Sequence, residues 1–162
     1  MSAFVHALLD GKVNLSIASL PLHLLLAAVP HWYSIYKAEA NKVQGGWSNE
    51  NPRAFVARLN ARAAQGNKLS ELEELILRGQ SAQQNGFEWF PVWAIAVLFG
   101  NLARIPKETL DRYTIFYVIM RVVYTYLYLF TKSRSGSYLR TIVFQVSLIP
   151  AVGMILKASQ VL

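Results

Sequence analysis

The chain has 162 residues, enough for a single domain spanning 1–162, and 54% of them are hydrophobic while only 15% are charged, against roughly 25% in soluble domains. This composition excludes a disordered chain, and with the net charge of +7 it favours a protein in contact with anionic membrane lipid over a nucleic-acid binder. Because the chain has no cysteine and three scattered histidines, disulfides and cysteine nucleophiles are excluded and a metal site is not expected.

Four apolar stretches follow one another along the chain, each near the roughly 20 residues that span a bilayer. They cover approximately residues 15–36, 87–102, 113–130 and 138–156. A soluble four-helix bundle is the alternative, but it requires a polar face on each helix, and the runs 20–29 and 90–99 have none. The sequence therefore predicts an all-α integral membrane protein that forms a four-helix bundle.

A long polar segment at about residues 37–84 separates the first two spans. Its central part, 40–67, is rich in Asn, Gln, Gly and Arg and predicts an irregular loop. Beyond it, Ser70 and Glu73 form a capping-box pattern that marks the start of a helix. The apolar residues that continue this helix at helical spacing are Leu69, Leu72, Leu75 and Ile76. We therefore expect a helix that extends the second span toward its N-terminus.

The distribution of Lys and Arg predicts the orientation in the membrane. Ten of the sixteen lie in the loops that follow the first and third spans, five lie on the opposite side, and Arg121 lies within the third span. Basic residues are retained in cytosolic loops. We therefore expect the loop 37–84 and the loop before residue 138 in the cytosol, with both termini on the other side.

Several polar side chains lie within or at the edge of the predicted spans. Asn85 and Glu88 open the second span, three residues apart on one helix face. The third span carries one stripe of polar and aromatic residues, made of Tyr117, Arg121, Tyr124 and Tyr128. We expect Arg121 to pair with Glu88, because each charge then offsets the desolvation of the other.

The predicted topology collects these side chains in one leaflet. Lys37 and Tyr33 end the first span at the cytosolic side, and Arg140 begins the fourth span there. The result is a cationic pocket with aromatic walls, open to water on one side and lipid on the other, which suits an anionic polar ligand that meets a lipophilic one. An alternative stays open in which the ion pair only locks helices together and the tyrosines form an interfacial belt.

Two motifs give the sequence a family resemblance. Arg78 followed by Asn85-Gly86-Phe87-Glu88-Trp89-Phe90-Pro91 matches the pattern Asn-x-x-Glu-x-x-Pro, and Arg121-x-x-Tyr124-x-x-x-Tyr128 with the later Arg140 also fits. Asn51-Pro52-Arg53-Ala54 resembles a stretch of bacterial and fungal members. From about residue 51 to the C-terminus the chain resembles the MAPEG family, the membrane-associated proteins of eicosanoid and glutathione metabolism.

The resemblance implies a homotrimer in the endoplasmic reticulum or another endomembrane, or in the inner membrane of a bacterium, with its active site facing the cytosol. It also implies that glutathione binds between neighbouring subunits. The residues that it assigns to glutathione are Lys37, Arg78, Asn85, Glu88, Arg121, Tyr124 and Tyr128. Arg140 matches the arginine that stabilises the thiolate, and together with Glu88 and Tyr124 it forms the expected catalytic set.

Three functions are compatible with these residues. The first is a glutathione transferase or peroxidase acting on a lipophilic electrophile. The second is an enzyme of the same fold that does not use glutathione, in which Glu88, Tyr124 or Arg140 would carry out isomerisation, epoxide opening or cyclisation in secondary metabolism. It is suggested by Ser81, which stands where the glutathione-binding members of the family have arginine. The third is a membrane scaffold or lipid-binding protein without catalysis.

Overall fold

The computed structural model describes residues 6, 8 and 10–162. Within residues 10–162 all of the long regular elements are helical. They are α1 (Leu15–Ala40), α2 (Pro52–Ala64), α3 (Glu71–Leu102), α4 (Lys107–Phe130) and α5 (Arg134–Ala158), with a 3-10 turn at Val43–Gly45 between α1 and α2. The all-α prediction is confirmed, although the part of the chain that the structure describes has five α-helices and not four.

Helices α1, α4 and α5 are the three in the described residues that are long and apolar enough to cross a membrane. They contain the predicted spans 15–36, 113–130 and 138–156. Their outer faces carry large apolar side chains such as Leu25, Ile119 and Ile149, each more than half exposed. Such surfaces are stable against lipid and not against water. The chain is therefore an integral membrane protein, as predicted.

Helix α3 contains the predicted second span, 87–102, as its C-terminal half. The predicted extension toward the N-terminus is confirmed: Ser70 Oγ accepts the Glu73 N–H at 3.2 Å, and Glu73 Oε2 accepts the Ser70 N–H at 2.9 Å. Polar residues such as Asn85, Glu88 and Asn101 interrupt the apolar C-terminal half of α3 and lower its hydropathy. That α3 crosses the bilayer stays a prediction.

Helix α2 lies in the segment 40–67 for which the sequence predicted an irregular loop, and that prediction is wrong. Asn51 Oδ1 accepts the Ala54 N–H at 3.2 Å, and Pro52 occupies the first turn, where its missing N–H costs nothing. Phe55 and Leu59, four residues apart, are fully buried in a small core. The other buried members of this core are Ala38, Trp47 and Ile76. One apolar stripe was thus enough to form a helix despite the polar composition.

Helices α1 and α3 pack so closely that small residues are required between them. A Cβ on Gly79 would lie 2.1 Å from Ser34 Oγ, and one on Gly86 would lie 2.7 Å from the Cβ of Ala27. Small residues that allow backbones to approach are typical of helix packing in membranes. This contact fixes α3 against α1 and so positions the polar residues of α3 relative to α4 and α5.

Candidate functional site

A cavity of about 280 Å³ lies between α3, α4 and α5. Its lining residues are Asn85, Tyr124, Tyr128, Ser137, Arg140, Thr141 and Phe144. Asn85 Nδ2 donates to Tyr124 Oη at 3.0 Å, which fixes both side chains at one wall. Tyr124 also packs against Tyr128 and Phe144, with ring centroids 5.5 and 5.7 Å apart. The cavity therefore has an aromatic wall with hydrogen-bonding groups, as the sequence predicted.

Arg140 supplies the positive charge that lines this cavity. Its guanidinium carbon lies 4.6 Å from the centroid of the Tyr128 ring, and its Nη2 donates to Ser137 Oγ at 3.0 Å. Stacking on the ring and this hydrogen bond hold the planar group in place, and its other N–H groups have no partner within the described residues. Arg140 is half-buried on α5, six residues after the helix begins.

The predicted ion pair between Glu88 and Arg121 is absent in this chain, so that prediction is wrong. Glu88 is exposed, and its Oε1 accepts a hydrogen bond from Gln84 Nε2 at 2.8 Å. The structure thus places the carboxylate on the exposed surface of α3, whereas the Arg121 side chain is buried. Glu88 does not line the cavity of Arg140 and Tyr124.

Arg121 lies behind the cavity and not in its lining. The side chain is 4% exposed, and its guanidinium carbon lies 4.8 Å from the centroid of the Tyr124 ring. Nη1 has no hydrogen-bond partner within the described residues. Arg121 borders a separate space of about 10 Å³ together with His23 and Thr125. Arg121 therefore contacts a residue of the cavity lining, Tyr124, without lining the cavity itself.

The other two predicted cations also lie outside the cavity. Arg78 Nε donates to the carbonyl oxygen of Leu129 at 3.0 Å, so it satisfies an orphan carbonyl at the C-terminal end of α4. The Lys37 ammonium lies 5.3 Å from the ring centroid of Tyr33 and 5.8 Å from that of Tyr36. Of the predicted site residues, the chain thus brings together Asn85, Tyr124, Tyr128 and Arg140.

Three lining residues were missed by the sequence reading, namely Ser137, Thr141 and Phe144. They follow one another at spacings of four and three along α5, which is one helix face. The signal was present, since Arg140 lies on the same face. Ser137 was overlooked because the fourth span was predicted from residue 138, whereas α5 begins at Arg134. Thr141 and Phe144 lie within the predicted span, but their spacing from Arg140 was not used.

A buried polar network below the cavity was also missed. His23 Nε2 lies 2.9 Å from the carbonyl oxygen of Gly86, so this nitrogen carries the proton, and Nδ1 accepts the Tyr117 hydroxyl at 2.7 Å. The Trp93 and Tyr117 rings stack at 3.7 Å, and Trp93 Nε1 donates to Ser19 Oγ at 2.9 Å. These contacts join α1, α3 and α4.

A second charged group is buried away from the cavity, at the start of α3. Glu73 is 5% exposed and accepts hydrogen bonds from Gln44 Nε2 at 2.8 Å and from the Ser70 backbone, and it also pairs with Arg62. The Ser70 N–H, followed by the Gln44 amide, the Ser70 hydroxyl and the Arg62 charge, holds the pKa of Glu73 below its ordinary value. This carboxylate joins the start of α3 to Gln44 and Arg62, and it does not line the Arg140 cavity.

The fold and the cavity together define a class of protein: an integral membrane helical protein with a cationic, aromatic ligand cavity. Within that class, the sequence matches the MAPEG family over residues 17–159, and the chain belongs to this family. No curated protein and no solved structure matches the chain. In the part of the chain that the structure describes, no cluster of three or more His, Cys, Asp or Glu residues forms a metal site.

Proposed function

We propose that this protein is a membrane-bound glutathione transferase or peroxidase that acts on a lipophilic electrophile. Family membership supports this function, since the family includes enzymes of this kind. The observation that carries the proposal is the arrangement of Arg140 on the Tyr128 ring beside the hydrogen-bonded pair of Asn85 and Tyr124. A fixed cation next to hydrogen-bonding groups favours an anionic ligand such as a thiolate.

The lining residues fit glutathione in their chemistry. Asn85, Tyr124 and Tyr128 would hold the polar peptide through their amide and hydroxyl groups, and Arg140 would lie beside the thiol. When bound, glutathione supplies a sulfur nucleophile, and a nearby cation increases its thiolate fraction at neutral pH. The cavity of about 280 Å³ is at the small end for ligand sites, so one chain encloses only part of the peptide.

The proposal includes a homotrimer in which a neighbouring subunit completes the glutathione site and α3 crosses the bilayer as the fourth span. The exposed Glu88 and Gln84 on α3 support this assembly, because polar groups at that depth are costly against lipid. A second copy of the chain would cover them. We further propose an endomembrane such as the endoplasmic reticulum, with the cavity facing the cytosol, from the distribution of Lys and Arg.

A second candidate is an enzyme of the same fold that does not use glutathione. It is favoured by the finding that, among the residues that the structure describes, Arg140 is the one cation in the cavity lining, whereas glutathione has two carboxylates. Ser81, on the exposed side of α3, adds no charge. In this case Tyr124 and Arg140 of the cavity, or Glu88 outside its lining, would act as acid, base or electrophile in isomerisation, epoxide opening or cyclisation of a lipophilic metabolite.

Glutathione binding by the purified protein in detergent, measured by calorimetry, tests the first proposal against the second. We expect saturable binding by the wild-type protein and loss of at least about tenfold in affinity in Asn85→Ala, since a partly buried amide that hydrogen-bonds Tyr124 is removed. Ser81→Ala, at the exposed side of the same helix, is the matched control and should bind like the wild type. Absence of binding by a folded wild-type protein would favour the second candidate.

A further inference from the structure

Two hydroxyl side chains of α5, Ser137 and Thr141, line the cavity beside Arg140. Thr141 Oγ1 donates to the backbone carbonyl oxygen of Ser137 at 3.3 Å, so this hydroxyl uses its hydrogen within the helix and offers a ligand only lone pairs. Ser137 Oγ accepts a hydrogen bond from Arg140 Nη2 at 3.0 Å and donates to no acceptor within the described residues. The hydroxyl hydrogen of Ser137 is therefore available to a ligand in the cavity.

The guanidinium of Arg140 makes the Ser137 hydroxyl a stronger donor. A hydroxyl that accepts a hydrogen bond from a cation is polarised by it, and hydrogen bonds linked in this way strengthen one another in a poorly solvated site. Because the oxygen of Ser137 accepts from Arg140, its hydrogen is directed away from the guanidinium. Ser137 is half-buried, so water competes with a ligand for this hydrogen less than it would at the surface.

Ser137 also lies at the positive end of a long helix. Helix α5 begins at Arg134, and Ser137 is the fourth of its 25 residues. The first turn of a helix carries a partial positive charge and favours an anion beside it. The helix dipole, the charge of Arg140 and the hydrogen of Ser137 thus act on the same part of the cavity lining, and all three favour an anionic atom there.

We propose that Ser137 is a catalytic residue that donates a hydrogen bond to the thiolate sulfur of bound glutathione, beside the charge of Arg140. This assignment rests on the proposed function and adds a second donor to it. When the thiol proton leaves to water, Ser137 and Arg140 together hold the negative charge that remains on sulfur. Two donors stabilise the charged form more than one, so a larger fraction of the bound thiol is ionised at neutral pH.

Titration of the ultraviolet thiolate absorbance of bound glutathione, in the full-length protein in detergent, tests this role without turnover. In Ser137→Ala we expect the pH of half-ionisation to rise by about one unit or more, since a hydrogen bond to a charged group is removed. Ser137→Thr keeps the hydroxyl and should titrate close to the wild type. Ser135→Ala is the matched control, because Ser135 is an exposed serine of the same helix turn that does not line the cavity.

A double-mutant cycle separates donation to sulfur from support of Arg140 alone. If Ser137 only holds the guanidinium, Ser137→Ala has no further effect once Arg140 is replaced by alanine. If Ser137 itself donates to sulfur, Ser137→Ala still raises the pH of half-ionisation in the Arg140→Ala background, by about half a unit or more. S-methylglutathione, which forms no thiolate, should bind the wild type and Ser137→Ala with equal affinity in calorimetry.

The outcomes distinguish this assignment from the proposed function. A wild-type thiolate absorbance whose titration is unchanged in Ser137→Ala, or a Ser137→Ala variant without effect in the Arg140→Ala background, would overturn the role of Ser137 and leave the proposed function standing. Weaker binding of S-methylglutathione by Ser137→Ala would also overturn it, because the residue would then support the cavity and not the sulfur. A wild-type protein that binds no glutathione would overturn both.

Discussion

Replacing Arg140 with alanine tests whether the cation in the cavity activates glutathione. The guanidinium is fixed by the Tyr128 ring at 4.6 Å and by Ser137 Oγ at 3.0 Å, so its charge occupies one position. Two unit charges about 4 Å apart attract by about 4 kcal/mol at an effective dielectric of 20 and by about 1 kcal/mol in water. Arg140 is half-buried, so a loss of about 2.7 kcal/mol is expected, which corresponds to about a hundredfold in rate.

The assay is the conjugation of a lipophilic aromatic halide with glutathione by the detergent-purified protein. Arg140→Ala should lower kcat/KM about a hundredfold and remove the ultraviolet thiolate absorbance of bound glutathione at neutral pH. Arg140→Lys keeps the charge without the planar stacking and should fall between the two. Lys132→Ala is the control, because Lys132 is an exposed cation that pairs with Glu71 at 2.6 Å outside the cavity.

The reasoning is refuted if Arg140→Ala keeps wild-type turnover and thiolate absorbance while glutathione remains essential. Loss of helicity in the variant would not be expected, since Arg140 contributes to neither buried core. Wild-type turnover of a lipophilic substrate that is indifferent to glutathione would instead exclude the transferase and favour the second candidate function.

Three further predictions concern packing, pH and the cavity wall. Gly79→Ala should destabilise the protein by about 1–3 kcal/mol in thermal unfolding, because the new Cβ would lie 2.1 Å from Ser34 Oγ; unchanged stability would contradict the close packing of α1 and α3. The pKa of Glu73 is lower in the folded protein than its ordinary value of 4.5. The ionised carboxylate therefore stabilises the fold fully when the pH is above 4.5, and this stabilisation is lost as the pH falls through the pKa of the folded state. The stability difference between wild type and Glu73→Gln, about 1–2 kcal/mol at pH 7, should therefore shrink below pH 4.5, and a difference that grows there would contradict the assignment. Tyr124→Phe removes the acceptor of Asn85 and should weaken glutathione binding about threefold to tenfold in calorimetry, whereas Tyr126→Phe, on the exposed face of α4, should not.

The membrane helices were predictable because hydropathy is averaged over the many residues of a span, so that single polar positions change it little. The spans 15–36, 113–130 and 138–156 all lie within observed helices, and one local pattern, Ser70 with Glu73, located the start of α3. Helix α2 was not predictable in the same way. Its apolar stripe has two buried residues, Phe55 and Leu59, and they pack with Trp47 and Ile76, which both lie outside α2. Tertiary contacts of this kind outweigh local composition.

The candidate site was predicted in part, for a geometric reason. The stripe of Tyr124 and Tyr128, together with Asn85 and Arg140, converges on one cavity because each pattern fixes a helix face. Which side chain pairs with a given charge is harder to infer, because residue spacing along one helix does not determine how a neighbouring helix is rotated about its own axis. Glu88 was expected to meet Arg121, but the α3 surface that carries it is exposed, and its hydrogen bond goes to Gln84.

Arg121 still bears on the choice between the two candidate functions. Its guanidinium carbon lies 4.8 Å from the centroid of the Tyr124 ring, and that ring also packs against Phe144 in the cavity lining. Arg121 forms no salt bridge within the described residues. A charge without a counter-ion in a poorly solvated interior is screened less than one at the surface, so its potential extends further. The cavity is therefore subject to two positive charges, Arg140 in its lining and Arg121 behind its wall. This field favours an anionic ligand more strongly than the lining alone indicates, which supports the glutathione-dependent function despite Ser81.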